Sequence, residues 1–378
     1  MTTLRFTGGH VLAPHTVWTG CEIVVASDRI ASVTPVEGDA DGGIDLAGGW
    51  LMPGFIDTQV NGGGGVLLNN DLSVDACATI ARAHAAYGTT ALLPTLISET
   101  PELVARAMDV TDAAIRAGVA GIVGVHIEGP VLNPERKGIH DAGRFRALDD
   151  EMLAILTRPH AGRVMVTLAP ERTHPDTIAA LVAGGVIVSA GHTEATHDEA
   201  VAAFDAGLSG ITHLFNAMPA MQQRAPGIVG AALDDPRPWC GLIVDGVHVD
   251  PVVLRIAIAA RGPERMMLVT DAMSSVGATD KDFVLQDRHI QVADGICRFA
   301  DGTLAGSDLD MAAAVRNAIR DVGVSPATAS RMASASPAAF LGLGHERGAI
   351  APGLRADLVQ LDADFEPHAT FIGGSVVA

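Results

Sequence analysis

Through the middle of the chain, short apolar runs alternate with Ala-rich stretches of helical length, and the alternation repeats eight times. The runs are Trp50–Asp57, Thr90–Leu96, Ile122–Ile127, Val164–Leu168, Val186–Ala190, Gly210–Leu214, Gly241–Val244 and Met267–Thr270. Near-continuous apolar strands are the habit of parallel sheets buried on both faces. Between them, Val74–Tyr87, Pro101–Ala117, Pro175–Ala183 and Ala195–Ala206 read as helices, several opened by Ser, Thr or Pro and closed by Gly. Eight parallel strands, each feeding a helix, predict an α/β fold: a (β/α)8 TIM barrel with its chemistry on the loops after the strand C-termini. A doubly wound open sheet is the alternative the pattern leaves open. At 378 residues the chain suits one barrel of about 250 residues and a smaller second domain.

The two ends have a different texture. Leu4–Leu12, Glu22–Ala26 and Arg29–Val33 read as strands between Gly- and Asp-rich turns, and strand-like runs return only at Ala356–Leu361 and Thr370–Ile372, after Gly348–Gly353. Alone, each end would expose a sheet edge and half a core, so residues 1–49 and 348–378 are expected to form one β-sandwich domain around a barrel at 50–347. Phe283–Gln286, Ile290–Val292 and Gly295–Phe299 read as hairpins inserted after the eighth strand. The net charge of −19 argues against general nucleic-acid or membrane-surface binding, while an anionic small substrate remains compatible with a local cationic pocket. Cys21, Cys77, Cys240 and Cys297 have no CxxC spacing, which disfavours a zinc ribbon and fits a reducing cytoplasm. Met1–Phe6 has no leader-like apolar run, and no stretch of about 18 apolar residues suggests a membrane span.

Four strand runs stop at a polar residue in the same manner: Val123 to Glu128 before Gly129-Pro130, Val186 to His192, Gly210 to His213, and Met267 to Asp271. On one barrel rim these residues would face a common space. A lone histidine is more often a hydrogen-bonded core residue. Glu128, His192 and His213 at equivalent strand ends instead read as a divalent metal site with a position left open. Asp271 is the natural base, its alternative being a turn cap near Ser274-Ser275. A metal-acidified water near pKa 7 brings the proton within about 3 units, roughly 4 kcal/mol, of an ordinary aspartate. Gln59 and Asn61, two apart on a strand, point to one face. The run Gly62–Gly65 is followed by no Gly-Lys-Ser/Thr, so it reads as a tight turn and not as a phosphate loop.

From Pro53 to Asn61 the chain resembles the amidohydrolase superfamily, whose members usually carry His-x-His where Gln59 and Asn61 stand. Carboxamides are weak ligands, so one metal is expected and not a bridged pair. The resemblance sharpens with His126–Pro130, Lys137–His140, Ser189–Thr193, Thr212–Met218, Asp245–Asp250, Val269–Ala272 and Leu304–Ser307. In this order they look like the N-acetylglucosamine-6-phosphate deacetylase family, over nearly the whole chain. The Gln-x-Asn pattern resembles its one-metal branch.

The resemblance implies Glu128, His192 and His213 as metal ligands, Asp271 as base then acid, and His140 on the acetyl carbonyl. It further implies Ile139 through its backbone, and Asn216, Ala217, Arg224 and His248 on the sugar phosphate. Leu304, Ala305 and Gly306 would close over the ring, with Gln59 and Asn61 nearby. A guanidinium fork suits phosphate, although Arg224 also reads as a surface-loop cation. The metal is expected to be zinc, with iron, cobalt or manganese as alternatives. A homodimer completing the phosphate pocket across its interface is implied, as is deacetylation of N-acetyl-D-glucosamine 6-phosphate. The galacto epimer, a cyclic amide as in dihydroorotase-like relatives, and a scaffold that has lost its site are the competing readings.

Overall fold

The computed structural model describes residues 1–14, 16–36 and 43–378. Eight strands lie parallel and in sequential order: Phe55–Val60, Thr89–Ile97, Gly124–Glu128, Arg163–Leu168, Ile187–Ala190, Gly210–Ile211, Trp239–Leu242 and Met266–Leu268. The ring closes just past strand eight through a parallel bridge between Val60 and Ala272. There Asp271 N–H donates to the Gln59 carbonyl at 3.0 Å, and Asn61 N–H to that of Ala272 at 2.8 Å. Closure therefore uses residues that the sequence pattern places at the candidate site. The fold is the TIM barrel that the alternation of runs predicts.

Boundaries moved where glycines intervene. The expected run Trp50–Asp57 is two strands: Trp50–Pro53 pairs with Leu358–Leu361, while Phe55–Val60 opens the barrel. Gly54 makes the transfer, and a Cβ there would come within 2.3 Å of the Thr90 side chain. Likewise Leu4–Leu12 breaks at Gly8, whose φ of +71° suits glycine, into Thr2–Thr7 and His10–Ala13 in different sheets. Helix starts follow local chemistry. Ser73 caps Val74–Ala85 through Ala76 N–H, and a capping box of Thr196 and Glu199 starts His197–Asp205 two residues after the expected Ala195.

Outside the barrel, a six-stranded sheet joins His10–Ala13 and Trp50–Pro53 to Leu358–Leu361 and Pro367–Ile372, and a four-stranded sheet joins Thr2–Thr7 to Cys21–Ala26 and Arg29–Pro35. Phe6, Ile23, Leu51, Leu358 and Phe371 belong to one buried apolar cluster there. After strand eight, Phe283–Leu285, Arg288–Ala293, Ile296–Arg298 and Leu304–Ser307 form an antiparallel sheet, and Ser307 bridges back to Ala272. Among the described residues, no helix is long and apolar enough to cross a membrane.

Candidate active site

Glu128 ends strand three, while His192 and His213 follow strands five and six by two residues. All three are buried. His192 and His213 take positive φ, +49° and +33°, as does Asp271 at +53°. Non-glycine residues rarely adopt this conformation, which concentrates where a site dictates side-chain aim. The result is a triangle of donor atoms: His213 Nε2 lies 3.1 Å from Glu128 Oε1 and 3.1 Å from His192 Nε2, and His192 Nε2 lies 3.3 Å from Glu128 Oε1. A tetrahedral ion with bonds of about 2.0–2.1 Å separates its donors by about 3.3–3.4 Å, so this donor set fits a divalent metal. Burial opposes ionisation of Glu128, yet the His192 and His213 imidazoles hold its carboxyl well below the usual range.

His140 is also close, and Glu128, His140 and His192 offer atoms within 4.8 Å of one another. The outer nitrogens separate the roles. His192 Nδ1 donates to the Arg136 carbonyl at 2.7 Å, which leaves its Nε2 lone pair facing inward, as a metal-bound imidazole requires. His140 Nδ1 instead accepts from the Ser98 backbone N–H at 3.3 Å, with Ser98 Oγ at 2.7 Å. A neutral His140 therefore carries its proton on Nε2, 3.8 Å from Glu128 Oε2, and presents a donor. Burial, with His192 beside it, holds that imidazole neutral, well below its usual range. His213 Nδ1 is buried without a protein partner among the described residues.

Asp271 stands beside the triangle. Asn61 Nδ2 donates to its Oδ1 at 2.7 Å, and Gln59 Nε2 donates both there and to Glu128 Oε1, each at 3.1 Å. The two carboxamides, expected on the substrate, thus hold the carboxylates apart and in register. Burial, with the Glu128 charge adding to it, pushes Asp271 up to about 6, close to where a general base works near neutrality.

A cavity of about 270 Å³ opens over these groups. Ile139, His140, Asn216, Ala217, His248 and Leu304 line it, as does Gly306, whereas Ala305 is buried against the hairpin core. His248 Nδ1 sits 2.6 Å from Asp245 Oδ2. Arg224 is not brought to this cavity: it lines a separate one with Glu194, Thr196, Asp198 and Gln222.

The strand-end reasoning missed three residues. Ser98 directly follows strand two and would have emerged had the same rule been applied to all eight strands. Asp57 is a fully buried carboxylate inside the first barrel strand, bonded to Thr270 Oγ1 at 2.5 Å and to Gln59 N–H at 3.1 Å. Glu171, after strand four, accepts from Glu194 N–H at 2.7 Å and Asn133 Nδ2 at 2.9 Å, clasping the loops around His192.

The amidohydrolase family model matches residues 50–377. The chain belongs to the amidohydrolase family. Its family members hydrolyse C–N bonds, and the chain is a hydrolase of that kind. An N-acetylgalactosamine-6-phosphate deacetylase of Shewanella sp. (strain ANA-3) is 41% identical over 332 residues, 88% of this chain and 84% of that one. The crystal structure of N-acetylglucosamine-6-phosphate deacetylase from Pasteurella multocida superposes with a TM-score of 0.94 at 36% identity, covering 99% of both chains. A Mycobacterium smegmatis N-acetyl-D-glucosamine-6-phosphate deacetylase, solved as an aspartate-to-alanine mutant with N-acetyl-D-glucosamine-6-phosphate, gives 0.92 at 36% identity and covers all of both chains. This amidohydrolase thus shares its fold over the whole chain with N-acetylglucosamine-6-phosphate deacetylases, and its sequence is similar to deacetylases of both epimers.

Proposed function

We propose that this amidohydrolase hydrolyses the acetamido bond of N-acetyl-D-glucosamine 6-phosphate, releasing acetate and D-glucosamine 6-phosphate in amino-sugar catabolism. The observation that carries this reading is the Asp271 carboxylate, held by Gln59 and Asn61 beside the Glu128–His192–His213 triangle, in one cavity with the His140 Nε2 donor. A divalent ion held by Glu128, His192 and His213, zinc before iron, cobalt or manganese, would supply an acidified water and polarise the acyl oxygen. Asp271 takes the proton of the attacking water as the new C–O bond forms, then returns it to the amine nitrogen as the C–N bond breaks. His140 Nε2–H donates to the acyl oxygen as it gains negative charge. Ile139 supports it through the backbone, and Leu304 to Gly306 cover the acetamido end of the sugar.

Asn216, Ala217 and His248 take the phosphate end in this reading. Arg224 reaches it from a second copy of the chain, consistent with its separation from the cavity within one chain. Met221, Val247, Val252, Val253 and Ile256 are exposed apolar side chains, which a homodimer interface would cover. We take residues 1–49 with 348–378 as the small domain and 50–347 as the barrel domain, and a cytoplasmic location from the unpaired buried thiols.

The 41% identity to a galactosamine-type deacetylase favours one second reading, the galacto epimer as substrate. Acetate release measured on both sugar phosphates separates them. A higher kcat/KM on the gluco epimer supports the first; absence of release from either overturns both.

A further inference from the structure

His140 owes its tautomer to Ser98, and Ser98 is held from outside the barrel. Phe283–Leu285 and Arg288–Ala293 pair as a hairpin, and the two residues of its turn, Gln286 and Asp287, have φ of +50° and +63°. Such a two-residue turn matches the twist of its strands and aims its side chains tightly. Gln286 Nε2 donates to the Ser98 carbonyl at 3.0 Å and to Glu99 Oε1 at 3.1 Å. Glu99 in turn pairs through its other oxygen with Arg144, four residues past His140. Arg288 NH1 donates to the Ile139 carbonyl at 3.3 Å while its guanidinium lies 3.6 Å from the Phe299 ring centroid. The hairpin tip therefore grips both the strand-two end that donates to His140 and the loop that carries it.

We infer that Gln286, with Arg288 beside it, is a positioning residue for the reaction: the inserted hairpin fixes the tautomer and reach of His140 through Ser98 and Ile139. Its catalytic consequence rests on the reading above that His140 donates to the acyl oxygen. Without Gln286, the Ser98 carbonyl and the buried Glu99 carboxylate each lose a donor and the segment loosens. His140 then samples the other tautomer, which has no Nε2 proton to offer. The inserted sheet, whose last strand brings Leu304 and Gly306 to the cavity, would in this way also arm the group opposite it.

The test compares Gln286→Ala with Gln286→Lys and Asp287→Asn in the full-length, metal-loaded enzyme. Alanine and lysine carry the same left-handed backbone strain as glutamine, so backbone strain does not distinguish the variants. In Gln286→Ala, kcat is expected to fall about tenfold with KM within about twofold, and Gln286→Lys, which still donates, to recover most of it. The exposed Asp287 makes no side-chain hydrogen bond among the described residues, so Asp287→Asn keeps wild-type kcat and guards against general damage to the turn. Nitrogen-15 NMR of labelled histidine reads the His140 tautomer without turnover: a single Nε2–H form in wild type, and a mixture in Gln286→Ala. Wild-type tautomer in Gln286→Ala overturns the inference, whatever kcat does. A mixed tautomer with undiminished kcat, together with full activity in His140→Asn, leaves the positioning intact and overturns the catalytic role of His140 instead.

Discussion

Replacing Asp57 by Asn should stabilise the protein above neutral pH and leave it unchanged in acid. Asp57 is fully buried between strands one and eight, and burial pushes its carboxyl up to about 7 against the bonds from Thr270 and Gln59. The unfolded chain ionises near 3.8, so between pH 3.8 and 7 the native state holds a proton that the unfolded state has released. Stability from this group is thus full below pH 3.8 and is lost as pH rises through 7. Three pH units at about 1.36 kcal/mol each come to about 4 kcal/mol. Asparagine keeps the geometry. Its carbonyl can replace Oδ1, which accepts from Gln59 N–H and Thr270 N–H at 3.1 and 3.3 Å, and its amide can donate to Thr270 Oγ1 in place of Oδ2. Urea unfolding at pH 4.5 and pH 8 should therefore give a variant–wild-type difference that widens by about 3–4 kcal/mol toward the higher pH. Parallel stability curves for the two proteins would refute the reasoning.

Other perturbations probe separate parts of the structure. Burial lowers His84 to about 4 while its Nε2 donates to the Gly62 carbonyl at 2.9 Å, so its stability contribution is present above pH 6.5 and lost as pH falls through 4. His84→Gln should remove about 3 kcal/mol of acid destabilisation over that window, read as the difference in urea midpoints between pH 7 and pH 4. Gly54→Ala, forcing a methyl to within 2.3 Å of Thr90, should cost about 1–3 kcal/mol or more in thermal or urea unfolding with little change in KM. Arg224→Ala should raise KM for the phosphorylated sugar at least tenfold while leaving the slower hydrolysis of unphosphorylated N-acetylglucosamine unchanged; equal losses on both would remove Arg224 from phosphate recognition.

Much of the fold was legible because its signals are local. Eight apolar runs of strand length with Ala-rich helices between them admit few architectures, and the strands were found to within a few residues except where glycine redirected the chain. Gly54 and Gly8 each sit inside a strand-like run, and only the neighbours they meet, Thr90 in one case and Asp45 on the adjacent strand in the other, reveal that the run changes sheets. The triangle was legible for a related reason: polar side chains at the ends of apolar strands must be paired or put to use. What could not be read was who pairs with whom. Gln59 and Asn61 stand two residues apart, but that both amides turn to Asp271 depends on ring closure across some 210 residues. Gln286 carries no signal of its own, since a glutamine in a turn is commonplace.

The central claim is that Glu128, His192 and His213, and not His140, hold one divalent ion beside a base that is Asp271. Metal content per chain after equilibration with zinc and gel filtration, measured alongside acetate release, tests it most directly. One ion should be retained by wild type, His140→Asn and Asp271→Asn, with acetate release in Asp271→Asn down by at least about 10³-fold, and His192→Asn and His213→Asn should retain none. An ion lost from His140→Asn but kept by His213→Asn, or full turnover in Asp271→Asn, would contradict it.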